Sequence, residues 1–430
     1  MTSHSASSLS ADRNFRLFWL GQAVSTTGDA FAFVAMPLLV LEVTGSVTQM
    51  GSVTAVTCAG QIAMSVVAGL IVDRARRREL MILCDLGRLA IYAALPVAWW
   101  LGAPSLWLIY AVAGIASALG NLFLVGYVTA VANVVDRDKL AEANGRLQAT
   151  QALTYALGPV AAGVLCARSG PVVAMLVDAA SFGVSALSLF AVRFRKDRAE
   201  RAADTHGGGP IAEMRVGLQY LARQPVLRAM TAIMVIVGLL ASAGLSAAVV
   251  DLMVFHLRSD LGQSSRVVGV CLGVAATGAL GGALGAARLK HRLGFGSCFL
   301  GGTALQGLGL VLAGQVAGVV ATCLGAMLWA MGLTLRGVSA VSMRQELVPD
   351  SLLGRVTAAS WTMTFGAATM GAILTTQLAA HVGAKGALVV AGAALAVVAG
   401  GGAFTPVARA EASALAASRE RRVGDARRLR

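Results

Sequence analysis

Between Arg88 and Asp136 the chain reads LAIYAALPVAWWLGAPSLWLIYAVAGIASALGNLFLVGYVTAVANVV, residues 89–135, 47 residues without a charge. A helix needs about 20 mostly apolar residues to cross a bilayer. Gly102-Ala103-Pro104-Ser105 is a turn signal and divides the run into the end of one span and the whole of the next. The same pattern recurs outward in both directions. Glu42 to Asp73 encloses 30 uncharged residues, and further runs lie between Arg146 and Arg168, Arg228 and Asp251, and Arg266 and Arg288. Arg292 to Arg336, Arg355 to Lys385 and Lys385 to Arg409 complete the set. With an acid tolerated inside the first and sixth, twelve spans start near residues 15, 48, 79, 105, 147, 171, 228, 266, 293, 316, 355 and 384.

The composition agrees. The 430 residues are 57% hydrophobic and 13% charged, with a mean hydropathy of +0.74, where a soluble protein carries about 25% charged residues. The expected class is therefore an all-α integral membrane protein. Lys and Arg set its orientation. All but six of the 35 fall in the N-terminus, in the loops after spans 2, 4, 6, 8 and 10, or in the C-terminal tail. Both termini are thus expected in the cytoplasm. The net charge of +14 is topogenic and lipid-facing and gives no reason to expect nucleic-acid binding. The Ser-rich start Met1–Ala11 leads into a span without a cleavage pattern, so no signal peptide is expected.

Residues 193–227 form the longest connection, a charge run followed by His206-Gly207-Gly208-Gly209-Pro210, which reads as a linker. It separates six-span halves over 15–192 and 228–407, flanked by cytoplasmic tails 1–14 and 408–430. Both halves begin on the same side, so the expected plan is a parallel repeat. Val135-Asp136-Arg137-Asp138-Lys139-Leu140 after span 4 echoes Val348-Pro349-Asp350-Ser351-Leu352-Leu353 after span 10.

At these residues the chain resembles the major facilitator superfamily. Gly69-Leu-Ile-Val-Asp73-Arg74-Ala-Arg76-Arg77-Arg78 is similar to the family's loop motif between spans 2 and 3, with Arg76 standing where the family has glycine. Gly145, Gly158-Pro159 and Gly163 resemble the span 5 motif of the drug-exporting branch, with Thr154 and Ala162 in place of two further glycines. The opening Asn14-Phe15-Arg16-Leu17-Phe18-Trp19-Leu20-Gly21-Gln22, Gly28-Asp29, Asp85-Leu-Gly-Arg88 and Asp178-Ala-Ala-Ser181-Phe182 are similar to a bacterial subgroup that includes macrolide-efflux and enterobactin-exporter-like proteins. The resemblance implies the major facilitator fold, a cavity lined by spans 1, 4, 7 and 10, and a place in the bacterial inner membrane.

Single residues carry the functional expectations. Asp29 falls near mid-membrane in span 1, where a carboxylate costs at least about 2.5–3.5 kcal/mol and so faces a wet cavity or the bundle interior. It is a candidate for proton coupling or cation recognition, with a structural aspartate as the alternative. Arg336 in span 10 either faces the same cavity or snorkels to the cytoplasmic interface. Gln22, Asn121 and Tyr127, with Phe123, offer amide and aromatic surface to an amphipathic substrate, or simply pack. Asp85 and Arg88, at i and i+3 on one helix face, can neutralise each other. With Asp73, Arg74 and Arg77 they read as gate elements, Asp73 meeting, by the resemblance, the start of span 11 beside Arg355, or as simple loop anchors. Gly158-Pro159 is expected to bend span 5 or to allow close packing. Gly278, Gly282 and Gly285 read as helix contact points.

The expected function is a proton-coupled efflux antiporter for amphipathic small molecules, acting as a monomer by alternating access. A proton-coupled importer and a non-transporting receptor or scaffold are the alternatives. No phosphate-binding loop, nucleophile–base set or Cys/His metal spacing occurs in the sequence, so no cofactor and no enzymatic activity are expected.

Overall fold

The computed structural model describes residues 12–135, 139–194, 210–241, 247–316 and 318–409. The loop residues 136–138, most of the expected linker and the basic tail lie outside it. So do the side chains of some helical residues, among them Asp73 and Arg74, whose expected gating role therefore falls outside the described residues.

The chain is helical from end to end of the described residues. The helices are α1 (Arg13–Thr44), α2 (Val47–Arg74), α3 (Arg77–Trp100), α4 (Leu106–Val134), α5 (Leu140–Ser169) and α6 (Pro171–Ala191). They continue as α7 (Pro210–Arg223), α8 (Pro225–Ala241), α9 (Ala247–Phe255), α10 (Ser265–Gln315), α11 (Val319–Leu347) and α12 (Asp350–Gly402). Local chemistry sets many ends. The Asp12 carboxylate accepts the backbone N–H groups of Asn14 at 2.9 Å and Phe15 at 3.4 Å to start α1, satisfying donors that a helix N-terminus leaves open. Pro171 opens α6 at a position where the missing N–H costs nothing.

Two long helices are broken by a backbone that only glycine adopts readily. Gly294 at φ 78° interrupts α10 and Gly383 at φ 76° interrupts α12, because a positive φ crowds any Cβ. The breaks fall beside the starts expected at residues 293 and 384. Among the described residues nine helices are long and apolar enough to cross a bilayer. The number rises to ten if the segments Met214–Arg223 and Pro225–Leu240, which meet at 109°, count as one span. Large apolar side chains also point outward, among them Leu83, Leu124, Trp107, Leu187, Val320 and Val397. Helices apolar on all faces suit a hydrocarbon solvent.

Two compact units emerge. The first comprises Met1–Gly207 with Gln263–Gly273, and the second Gly208–Gly262 with Val274–Arg430. In the first, α1 packs on α5 and α6, α3 on α4 and α6, and α2 on α4. Phe15, Phe18, Met81, Leu122, Phe123, Val131, Leu147 and Leu189 form one buried cluster at the end where α1 begins. In the second, α12 packs on α7, α8 and α9.

Part of the expected linker is helical. Residues 210–223 form α7, which docks on α12 with Gly217 against the Arg355 backbone. Tyr220 Oη donates to the Leu347 carbonyl at 3.2 Å. Polarity reads as a loop, but an amphipathic helix with one docked face is equally polar.

Candidate functional site

The sequence places small residues where α1 crosses α6. A Cβ on Gly21 would collide with the Ser188 side chain, and one on Gly28 would lie 2.7 Å from Asp178 Oδ1. Close approach of this kind brings polar side chains from α6 against α1. Ser181, Ser185 and Ser188 lie along this face, and Gln22 Nε2 donates to Ser185 Oγ at 3.2 Å. Gln22 is thus buried helix packing rather than open cavity surface.

At the centre of this crossing Arg88 Nη2 donates to Asp29 Oδ1 at 2.6 Å. The pair is lopsided: the Asp29 side chain is 42% exposed and that of Arg88 11%. Asp29 lies about 24 Å along α1 from Arg13, counting 1.5 Å per residue, and Arg88 and Asp178 are also interior to α3 and α6. The Arg88 guanidinium lies 3.8 Å from the centroid of Phe182, a cation–π distance. Tyr92 stacks on the other part of this platform, 5.7 Å from Phe182. From α4, Gly120 leaves room for Arg88, since a Cβ there would sit 3.7 Å from its Cζ.

Two further carboxylates are buried in the same place. Asp85 and Asp178 are both 0% exposed. Neither Asp178 oxygen has a hydrogen-bond partner, and the nearest donor, Ser181, gives its hydroxyl proton to the Asp178 backbone carbonyl at 2.7 Å. Neither Asp85 oxygen has a hydrogen-bond partner either. One cation thus faces three acids, Asp29, Asp85 and Asp178. Ion pairs of this kind carry far more energy in a low-dielectric interior than in water.

The direct ion pair of Arg88 is with Asp29 on α1, while Asp85 stays within electrostatic reach of Arg88. A spacing of i and i+3 makes two residues neighbours on a helix surface, but it cannot weigh a third residue from another helix that offers a better-placed carboxylate.

The other candidates separate. Arg336 is 3% exposed in α11 of the second unit, with its backbone N–H against Gly302, so it does not snorkel to water. Tyr127 stacks on Phe18 at 5.7 Å and on Phe123 at 6.4 Å and packs against the buried apolar cluster. Asn121 is half-buried, and its Oδ1 has no partner. Helix α5 runs without interruption through Pro159. Gly158 abuts Ala30, Gly163 abuts Gly269 within the same unit, and Gly145 faces open space. Arg77 is half-buried. Its neighbour Arg78 caps α6, donating Nε to the Leu189 carbonyl at 2.9 Å and Nη2 to that of Phe190. Gly278 and Gly282 abut α11, but Gly285 meets nothing.

Sequence reading missed Asp178 as a site residue and His256 as a buried one. His256 is 0% exposed and bonds Asp260 through Nδ1 at 2.7 Å, in a π-helical turn that continues α9. The signal for Asp178 was present as Asp178, Ser181, Phe182 and Ser185, spaced to share one face of a helix. Among the described residues no three His, Cys, Asp or Glu side chains converge as a metal site requires.

The family model described as Major Facilitator Superfamily matches residues 18–372. The chain is 29% identical over 175 residues to the multidrug efflux pump Tap of Mycobacterium tuberculosis, covering 40% of this chain and 42% of Tap. It spans only about two fifths of the length of that relative. It is 25% identical over 352 residues to the enterobactin exporter EntS of Escherichia coli, covering 80% of this chain and 79% of EntS. Two solved structures share the fold. The nucleoside transporter NupG superposes with a TM-score of 0.71 at 11% identity, covering 94% of this chain and 99% of NupG. A bacterial homologue of the human lysosomal transporter Spinster, inward-facing and unoccupied, gives 0.72 at 12% identity over 94% of this chain and 99% of that one.

Proposed function

The chain belongs to the major facilitator superfamily, and from that premise we propose that it is a proton-coupled efflux antiporter for amphipathic small molecules. In this reading it sits in the bacterial inner membrane as twelve spans in two six-helix halves, with both termini in the cytoplasm. The names of Tap and EntS, an efflux pump and an exporter, support export over import. One observation carries the coupling: the Asp29–Arg88 pair deep within α1 and α3, half-open at the carboxylate and closed at the guanidinium.

The chemistry follows from that asymmetry. A proton arriving from the exposed side neutralises the Asp29 carboxylate and removes its attraction for Arg88. Helices α1 and α3 then lose the ionic contact between them. Loss and recovery of one contact between packed helices is a known way to switch between two arrangements. Substrate and proton movement are linked if only one arrangement opens to each side.

The test uses everted vesicles with a panel of lipophilic cations, macrolides and siderophores, with and without a proton gradient. Gradient-dependent accumulation in the wild type, lost in Asp29→Asn at an equal amount of protein in the membrane, is the expected result. Accumulation that ignores the gradient, or an Asp29→Asn variant that transports like wild type, overturns the reading.

A further inference from the structure

Resting on the coupling reading above, the geometry points to Asp178 as a second proton site. It holds a proton while Arg88 is bonded to Asp29 and releases it when Arg88 turns to Asp178. Four observations converge on it. The Asp178 carboxylate is fully buried, and neither of its oxygens is hydrogen-bonded. An ionised carboxylate left so in an apolar interior would cost several kcal/mol; a carboxylic acid would not. Its Oδ1 sits against Gly28, the residue before Asp29, in space that any Cβ at position 28 would fill. Arg88 lies over Phe182, one turn along α6 from Asp178 or about 6 Å of helix rise, and within electrostatic reach of it.

The groups facing this carboxyl come from each helix packed on α6. Helix α1 brings Asp29, and α3 brings Asp85, Arg88 and Tyr92. Helix α5 brings Tyr155 within reach of Asp29. Arg88 is the one cation among them. Asp85 is buried and unbonded as well; what singles out Asp178 is that its Oδ1 lies against Gly28, beside Asp29.

The step balances. Asp29 gains one proton from its exposed side and becomes a neutral acid. Arg88, unchanged in charge, swings from Asp29 to Asp178. The Asp178 O–H bond breaks, its proton leaves, and its carboxylate pairs with the guanidinium. One proton enters and one departs, so the buried cluster keeps the same total charge throughout. Phe182 provides the surface along which Arg88 moves, since a cation slides over a ring face without losing contact.

Infrared difference spectroscopy of the purified full-length chain in lipid nanodiscs, between acidic and alkaline buffer, tests this without a substrate. The wild type is expected to show the C=O stretch of a buried carboxylic acid, absent in Asp178→Asn and present in Asp85→Asn. In Asp29→Asn, which mimics the protonated partner, the same band is expected to vanish at neutral pH because Arg88 has been freed. That variant keeps Asp178 intact, so the idea stays testable even if Asp178→Asn fails to fold. A band that survives Asp178→Asn, or that Asp29→Asn leaves untouched, overturns the inference. The bands behaving as expected in a protein that never shows gradient-driven efflux would sink the coupling reading and leave the proton site standing. Gradient-driven efflux with the band unmoved would do the reverse.

Discussion

Both units bring helices together through glycine-to-backbone contacts, in the first at Gly60 against Gly114 and at Gly163 against Gly269, but the first adds a half-buried ionic crossing. In the first, α1 approaches α6 at Gly21 and Gly28, and the space is taken by serine hydroxyls and a carboxylate. Asp29 and Arg88 then bridge α1 to α3. In the second, glycine meets backbone directly. A Cβ on Gly309 would lie 2.5 Å from the Gly325 carbonyl, and one on Gly307 would lie 2.6 Å from that of Gly392. A backbone-to-backbone contact has a single arrangement, because it contains no rotamer to change. An ionic contact with spare acids has more than one, because the cation can choose. Switching chemistry belongs to the ionic interface, and rigidity to the backbone one.

The largest expected effect breaks the ionic interface. Arg88→Leu leaves the buried Asp85 and Asp178 and the half-exposed Asp29 with no cation, and losing one partner of a buried pair costs about 3–5 kcal/mol. Thermal unfolding in lipid should show a marked drop in midpoint, and a wild-type midpoint would mean the cluster does not hold α1 to α3. Next in size, Gly332→Val pushes side-chain atoms against α10, where a Cβ would stand 2.5 Å from the Gln306 nitrogen. Overpacking of that sort costs about 1–3 kcal/mol. Gly337→Ala, with nothing within 4 Å, serves as its neutral counterpart in the same assay. Equal behaviour of the two glycine variants would remove the contrast between the two kinds of contact. The smallest effect is expected at the second unit's surface, where Lys290 Nζ lies 3.1 Å from Glu346 Oε1 and both side chains are well exposed. Glu346→Gln should shift stability by less than about 1 kcal/mol. A larger loss would show that ionic contacts matter in both units alike.

The membrane character and most span positions were legible in the charge-free runs. Even the breaks at Gly294 and Gly383 fall beside boundaries placed by Lys, Arg and loop composition. The site was legible only in pieces. Asp29 and Arg88 stood out as charges in apolar runs, but their partnership did not. Asp85 lay nearer to Arg88 in sequence, and the sequence says nothing of which helices cross. Arg78 belonged to a basic run that explained itself as topogenic, which hid its capping of α6. Residues 210–223 looked like linker because a docked amphipathic helix and a polar loop have similar compositions.

The sequence by itself determined the solvent of this protein and where most of its membrane-length helices lie. Transfer of a side chain between water and hydrocarbon depends on that side chain and its near neighbours, so composition along the chain suffices. Only the tertiary structure decided which acid holds Arg88, that Asp178 stands behind it without a hydrogen bond, and that Arg336 stays buried in α11. Those outcomes are set by distances between side chains far apart in sequence, and Coulomb energies in a low-dielectric interior change steeply over a few ångströms.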